Sequence, residues 1–250
     1  MKATAQKFIA AGYPLSSGEY RFQHITQRRH PVHNPDGPVD SENCGPTSLA
    51  MSLDRIELTP PYYPPGGSAQ ELIDASRYAM FSDRDGTSLN VEKDGVEFNP
   101  ETGEWIRVQE EHMTLTNLED VERGARNSGA ATTRLASLED VNWALDQHEP
   151  VVLAGNPALP GAWGERMEMD YDGGHFVMVT DYNDAGEYKL HDPLLADGPV
   201  DISSYELKSF LNADIFGDAI GVSFRPEHPY STPGPGFLAR EDVRVEGSFP

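Results

Sequence analysis

The one cysteine of the chain, Cys44, stands in Asn43-Cys44-Gly45-Pro46-Thr47-Ser48-Leu49-Ala50-Met51. Pro46 suits the first turn of a helix, where a missing N–H costs nothing. A thiol at that end of a helix meets backbone N–H groups without intrahelical partners and the positive end of the helix dipole, and both favour thiolate. Taken alone, Cys44 would read as well as a small buried hydrophobe. A nucleophile also needs a base. His24, His30 and His33 lie in polar loop sequence, His112 and His148 sit among acids, and His228 is in a Pro-rich end. His175 differs, because it follows Gly173-Gly174 and opens the apolar run Phe176–Val179, which would hold its ring rigidly.

Asp192 ends the next strand-like run, in Lys189-Leu190-His191-Asp192-Pro193. A carboxylate there can accept the imidazole N–H, select the tautomer and stabilise the imidazolium. Successive strand residues point to opposite faces, so Asp192 is expected to face His175 and His191 to be solvated. Acyl chemistry further needs donors for an oxyanion. The Cys44 backbone N–H supplies one; Gln27 is the preferred side-chain donor, with Gln23 as the alternative. Nucleophile, base, orienting acid and oxyanion donors together describe acyl transfer through a thioester.

The elements that must position these groups follow from pattern. Leu49, Leu53 and Ile56 recur at helical spacing after Cys44, and Thr59-Pro60-Pro61 with Pro64-Pro65-Gly66-Gly67 ends that helix. Residues 68–81 predict a second helix. Ser82 to Val108 predict hairpins with turns at Lys93-Asp94-Gly95 and Glu101-Thr102-Gly103. Thr116…Glu119, Ser137…Asp140 and Ser203…Glu206 have capping-box spacing. Pro150 to Ala154 reads as a buried strand, Phe176 to Tyr182 and Glu187 to His191 as a hairpin across Asn183–Gly186, and Ala219 to Phe224 as the last strand. Arg21 to Gln27 alternates enough for a short strand. Helices first and strands later predict an α+β fold: a lead-in over 1–20, one domain over 21–225 with an insertion around 62–108, and a Pro/Gly-rich tail over 226–250.

Cys-Gly-Pro-Thr-Ser-Leu-Ala-Met, then Gly-Gly-His-Phe-Val, then His-Asp-Pro resembles the papain-like cysteine peptidases in residues and in order. Within them the chain is most similar to the double-glycine-leader (bacteriocin-processing) peptidases and their stand-alone bacterial relatives, over roughly Phe22 to Phe224. The helix and Pro-Val-Val strand of Ser137 to Ala154 and the helix from Ser204-Tyr205 to Phe210 agree with that family too. The resemblance implies a papain-like fold, with the cysteine helix packed on an antiparallel sheet carrying His175 and Asp192. It also implies a cysteine peptidase hydrolysing peptide or amide bonds through Cys44, His175 and Asp192. In the family a glutamine closely precedes the cysteine, whereas Gln27 lies beyond a Pro-rich loop. Phytochelatin synthases have a similar Cys-Gly-Pro-Thr stretch and transfer rather than hydrolyse. An amidase, deamidase or transpeptidase effector on the same three residues is therefore an alternative reading, and a non-catalytic peptide-binding module is another.

Composition narrows the partners. The 250 residues carry 41 acids against 19 bases, a formal charge of −22, which repels nucleic acid and anionic lipid and favours neutral or basic peptides. The expected partner is thus a peptide or protein substrate, with no nucleic acid and no membrane; nothing in the sequence fixes an oligomeric state. No apolar run approaches the roughly 18 residues of a membrane span. The N-terminus lacks signal-peptide character, so a cytoplasmic chain, or one exported without a cleavable signal, is expected. No cofactor or metal is expected either: Asp83, Asp85 and Gly86 resemble half a calcium loop, but Asp94 stands where a bidentate glutamate belongs. The acids at Glu110-Glu111, Glu119-Asp120 and Glu165–Asp172 read as solvated faces, the last close enough to His175 to raise its pKa.

Overall fold

Apolar residues on one side of Cys44–Arg55 form helix α1, which ends before the Pro-rich connector as its pattern predicts, and Ala69–Phe81 forms α2. The computed structural model describes residues 24–27, 43–81, 96–99, 104–107, 116–169, 171–213, 215 and 217–227. A two-stranded hairpin, β1 (Val96–Asn99) and β2 (Glu104–Arg107), lies in the predicted insertion. Then follow α3 (Leu118–Asn127), β3 (Ala130–Leu135), α4 (Leu138–Asp146), β4 (Val151–Gly155), β5 (His175–Tyr182), β6 (Glu187–His191), β7 (Val200–Ser203), α5 (Ser204–Leu211) and β8 (Gly221–Pro226). The turn at Lys93–Gly95, the half calcium loop at Asp83–Asp94, the lead-in 1–20 and the end of the tail lie outside the described residues.

The larger sheet has six strands in the order β3-β8-β4-β5-β6-β7, antiparallel throughout. Its pleat sorts the core into two faces. Val152, Ala154, Phe176, Val222 and Phe224 pack with Leu49 and Leu53 of α1 and Val121 and Ala125 of α3. Val151, Leu153, Val177 and Val179 pack with Val141 and Leu145 of α4 and Leu207 and Phe210 of α5. The sheet is thus buried on both sides, which is why Val151–Ala154 is a continuous apolar run rather than an alternating one. The fold is α+β, as the order of elements predicts.

Several local expectations shift. The capping box before α3 belongs to Asn117 and Asp120, not Thr116 and Glu119: Asn117 Oδ1 accepts from the Asp120 N–H at 2.9 Å and Asp120 Oδ2 from the Asn117 N–H at 3.1 Å. Asp120 is therefore fully buried rather than solvated. Residues 24–27 form no strand; Arg21–Gln23 are outside the described residues. The last strand begins at Gly221 and runs through Pro226, into the expected tail, because Ala130 and Ala131 of β3 pair with Pro226 and Arg225. Strands β3 and β7 had no clear sequence signal, being short and mostly polar edge strands.

Candidate active site

Four of the five described helices begin with a side chain folded back on their free amides. Ser68 with Glu71 closes α2, Asn117 with Asp120 α3, Ser137 with Asp140 α4, and Ser203 with Glu206 α5. Helix α1 is the exception. Its N-cap residue Asn43 makes no capping bond, its first turn holds no acid, and Asn43 Oδ1 instead accepts from Nη1 of the fully buried Arg77 at 3.3 Å. The amides around Cys44 are thereby left without a side-chain anion of their own, which suits a developing negative charge. Cys44 is 8% exposed at that helix end.

Strand register brings the other two groups together. Met178 of β5 pairs with His191, the last residue of β6, so the next residue, Asp192, leaves the strand beside the start of β5, where His175 stands. His175 Nε2–H donates to Asp192 Oδ1 at 2.7 Å, with both residues buried. The remaining ring nitrogen, Nδ1, is left for Cys44, whose side chain hydrogen-bonds the imidazole. Burial alone would lower the His175 pKa, but the charge and hydrogen bond of Asp192, with the contact to Cys44, push it up to about 10. The imidazolium is then the dominant form near neutrality. Asp192 is moved the other way. Its burial favours the acid, yet His175, the Leu194 N–H and the indole of Trp163 hold its carboxyl below the usual range. The charge that raises His175 is thus Asp192, not the Glu165–Asp172 run, whose Glu165, Glu168 and Asp172 are exposed.

Gln27 is tied to the segment that follows Asp192. It is 2% exposed, and its backbone N–H donates to Pro193 O at 2.9 Å, one residue beyond Asp192. Two residues earlier, the Ile25 N–H donates to Met51 Sδ on α1 at 3.3 Å. The 24–27 segment is therefore strung between α1 and the end of β6, the two elements that carry Cys44 and Asp192. Gln23 lies outside the described residues. The same segment corrects the expectation for His191. That residue does point away from His175, toward Thr180 Oγ1 at 3.3 Å, but it is 1% exposed because the His24 ring stacks over it at 6.0 Å. His24 itself donates from Nε2 to Leu195 O at 2.8 Å, and burial lowers its pKa. His148 is exposed as expected; His30, His33, His112 and His228 lie outside the described residues.

Two residues that sequence reasoning missed touch the pair. Leu194 donates its backbone N–H to Asp192 Oδ1 at 2.9 Å, and Trp163 donates its indole N–H to Asp192 Oδ2 at 2.9 Å. Trp163 sits in an aperiodic loop, so no repeat pattern points to it. A signal existed nonetheless: a tryptophan expected in the core must find an acceptor for its N–H, and Asp192 was the carboxylate expected to be inside.

The sequence model of the Peptidase_C39 like family matches residues 19–214. The chain belongs to that family. The match takes in Cys44, His175, Asp192, Gln27 and Trp163. A crystal structure of a Bacillus anthracis protein assigned as a C39-like peptidase is similar at 17% identity and a TM-score of 0.47, covering 86% of this chain and 98% of that one. No curated protein matches the chain.

Proposed function

We propose that this member of the C39-like family is a cysteine peptidase, hydrolysing peptide or amide bonds through a covalent thioester. The observation that supports it best is the unbroken run of contacts from Cys44 through His175 to Asp192, held in the buried end of the sheet beside an uncapped helix terminus. In this reading the Cys44 thiolate attacks the carbonyl carbon, and the C–O double bond opens to an oxyanion. The Cys44 backbone N–H and the Gln27 side-chain amide hold that oxygen. His175 gives its proton to the leaving nitrogen as the C–N bond breaks. Water then attacks the thioester, His175 takes its proton, and the acid leaves with Cys44 restored as thiolate and His175 as imidazolium. Asp192 keeps the imidazole oriented and stabilises its charge throughout.

The test is the rate of Cys44 alkylation by iodoacetamide against pH, in the native chain and in His175→Ala. The native rate should persist well below pH 7, and that acid limb should vanish in the variant. Identical profiles in both proteins would end the reading. The same chemistry serves transfer as well as hydrolysis; partition of the thioester between water and an added amine separates them.

A further inference from the structure

We propose that Trp163 is a positioning residue of this site, its indole N–H fixing the second carboxylate oxygen of Asp192 so that the first stays aimed at His175. The inference rests on the peptidase reading above and deepens it.

The terminal torsion of a carboxylate has a broad, roughly two-fold energy profile, so a partner on one oxygen does not by itself fix its plane. Here the donors are divided. Oδ1 takes His175 Nε2–H and the Leu194 N–H, at 2.7 and 2.9 Å, while Oδ2 takes Trp163 Nε1–H, at 2.9 Å, and no other donor among the described residues. With donors on both oxygens the plane is set, and the His175 contact is set with it.

Trp163 is built to be a fixed point. It is fully buried, and its ring lies on Phe210 of α5 at 4.5 Å between centroids. Its carbonyl accepts from the Met167 N–H at 2.9 Å, and the neighbouring Gly164 N–H bonds Pro157 O at 3.0 Å. The loop is in turn tied to α5, since the Asn156 N–H donates to Phe210 O at 3.0 Å. An indole seated on Phe210, with its backbone and the flanking loop tied down, cannot readily follow the carboxylate; the carboxylate must come to it.

This division also gives a reason for aspartate at position 192. An asparagine offers one oxygen and one NH2 group. Whichever way it turned, its NH2 would face a donor, either Trp163 Nε1–H or the pair on the other side. The amide and the indole should therefore conflict, and removing the indole donor should relieve the conflict.

The experiment compares iodoacetamide alkylation of Cys44 from pH 4 to 9 in five full-length proteins: native, His175→Ala, Trp163→Phe, Asp192→Asn and the Trp163→Phe/Asp192→Asn double variant. Far-UV circular dichroism in urea first identifies those that fold. Phenylalanine keeps an apolar ring on Phe210 and removes only the donor. Trp163→Phe should alkylate about tenfold more slowly than native below pH 6, the scale of one hydrogen bond to a charged group. The acid limb should move upward, because Asp192 loses a donor that keeps it ionised while His175, Leu194 and, more remotely, His24 still face it. Asp192→Asn should be slower still, and the double variant faster than Asp192→Asn alone; a merely structural tryptophan would make the double variant worse. A Trp163→Phe profile superimposed on native, or a double variant no faster than Asp192→Asn, overturns the proposal while the His175→Ala difference leaves the peptidase reading standing. If Trp163→Phe does not fold, the rescue of Asp192→Asn is read with Trp163→Leu, which also removes the ring donor and should rescue, whereas Trp163→His, which keeps one, should not; no rescue by Trp163→Leu overturns the proposal. Native and His175→Ala profiles that coincide bring down both.

Discussion

An ideal Cβ built on Gly45 would run into the side chain of Thr116, with Cγ2 nearest, Cβ at 2.9 Å and Oγ1 at 3.0 Å. Thr116 is itself buried and sits just before α3, so the glycine after the cysteine is what lets that neighbouring segment close over the start of α1. Gly45→Ala is expected to destabilise by about 1–3 kcal/mol, the usual range for overpacking, and to slow Cys44 alkylation as the helix end shifts. Thr116→Ala in the same chain should recover part of both losses, since only the Cβ contact would remain. Urea midpoints of the four proteins of the cycle measure the coupling; simple additivity would show that Gly45 is needed for another reason. At this scale the cysteine, histidine and aspartate were legible because each has a chemistry that its neighbours in sequence support. Trp163 and the burial of His191 were not, because each depends on a segment far away in sequence, β6 for one and residues 24–27 for the other.

Elements repeat the lesson. Capping chemistry is local, so the helices starting after Ser137 and Ser203 were placed from four residues each. The box before α3 slipped by one because Thr116 and Asn117 are both capable N-caps and Thr116 is taken up by packing on Gly45. Strands carry less local information, and β3 and β7 owe their existence to their partners β8 and β6. The packing of α5 on β4 is the element-scale contact with most bearing on the site. A Cβ on Gly155 would meet the Phe210 carbonyl and ring, with Cδ1 at 2.5 Å and Cε1 at 2.6 Å. Gly155→Ala must lift α5, and Phe210 carries the indole that touches Asp192. The expected result is a loss of about 1–3 kcal/mol with a fall in low-pH alkylation, reaching the site through α5 and also through His175, with which Gly155 pairs across β4 and β5. A Gly155→Ala protein that is destabilised but alkylates like native would show that α5 does not transmit its position to the site.

The whole molecule feels the buried pair through its stability. The folded pKa of His175 lies above its ordinary 6.5, at about 10. The native state therefore holds a proton that the unfolded chain has lost between those values, and stability must fall as pH rises through that window. Asp192 acts at the other end. Its folded pKa lies below the ordinary 3.8, so its contribution is complete above that value and is lost as pH falls through the folded one. Urea midpoints against pH should show a plateau between about pH 4 and 6.5 for this pair, and His175→Ala should flatten the alkaline decline. An unchanged alkaline slope in the variant would place the titrating group elsewhere.

Strand β8 lies between β3 and β4 although it is the last of the eight to be made. On a ribosome, β3 and β4 emerge with the gap between them open, and β3 has no partner until Gly221–Pro226 arrives. Every residue proposed to act on substrate is synthesised before that, yet the sheet beneath them closes only with the final strand. A chain that has not yet received Gly221–Pro226 therefore holds its sheet in two parts, with the β3 side of the α3 packing separate from the β4–β7 side that carries His175 and Asp192.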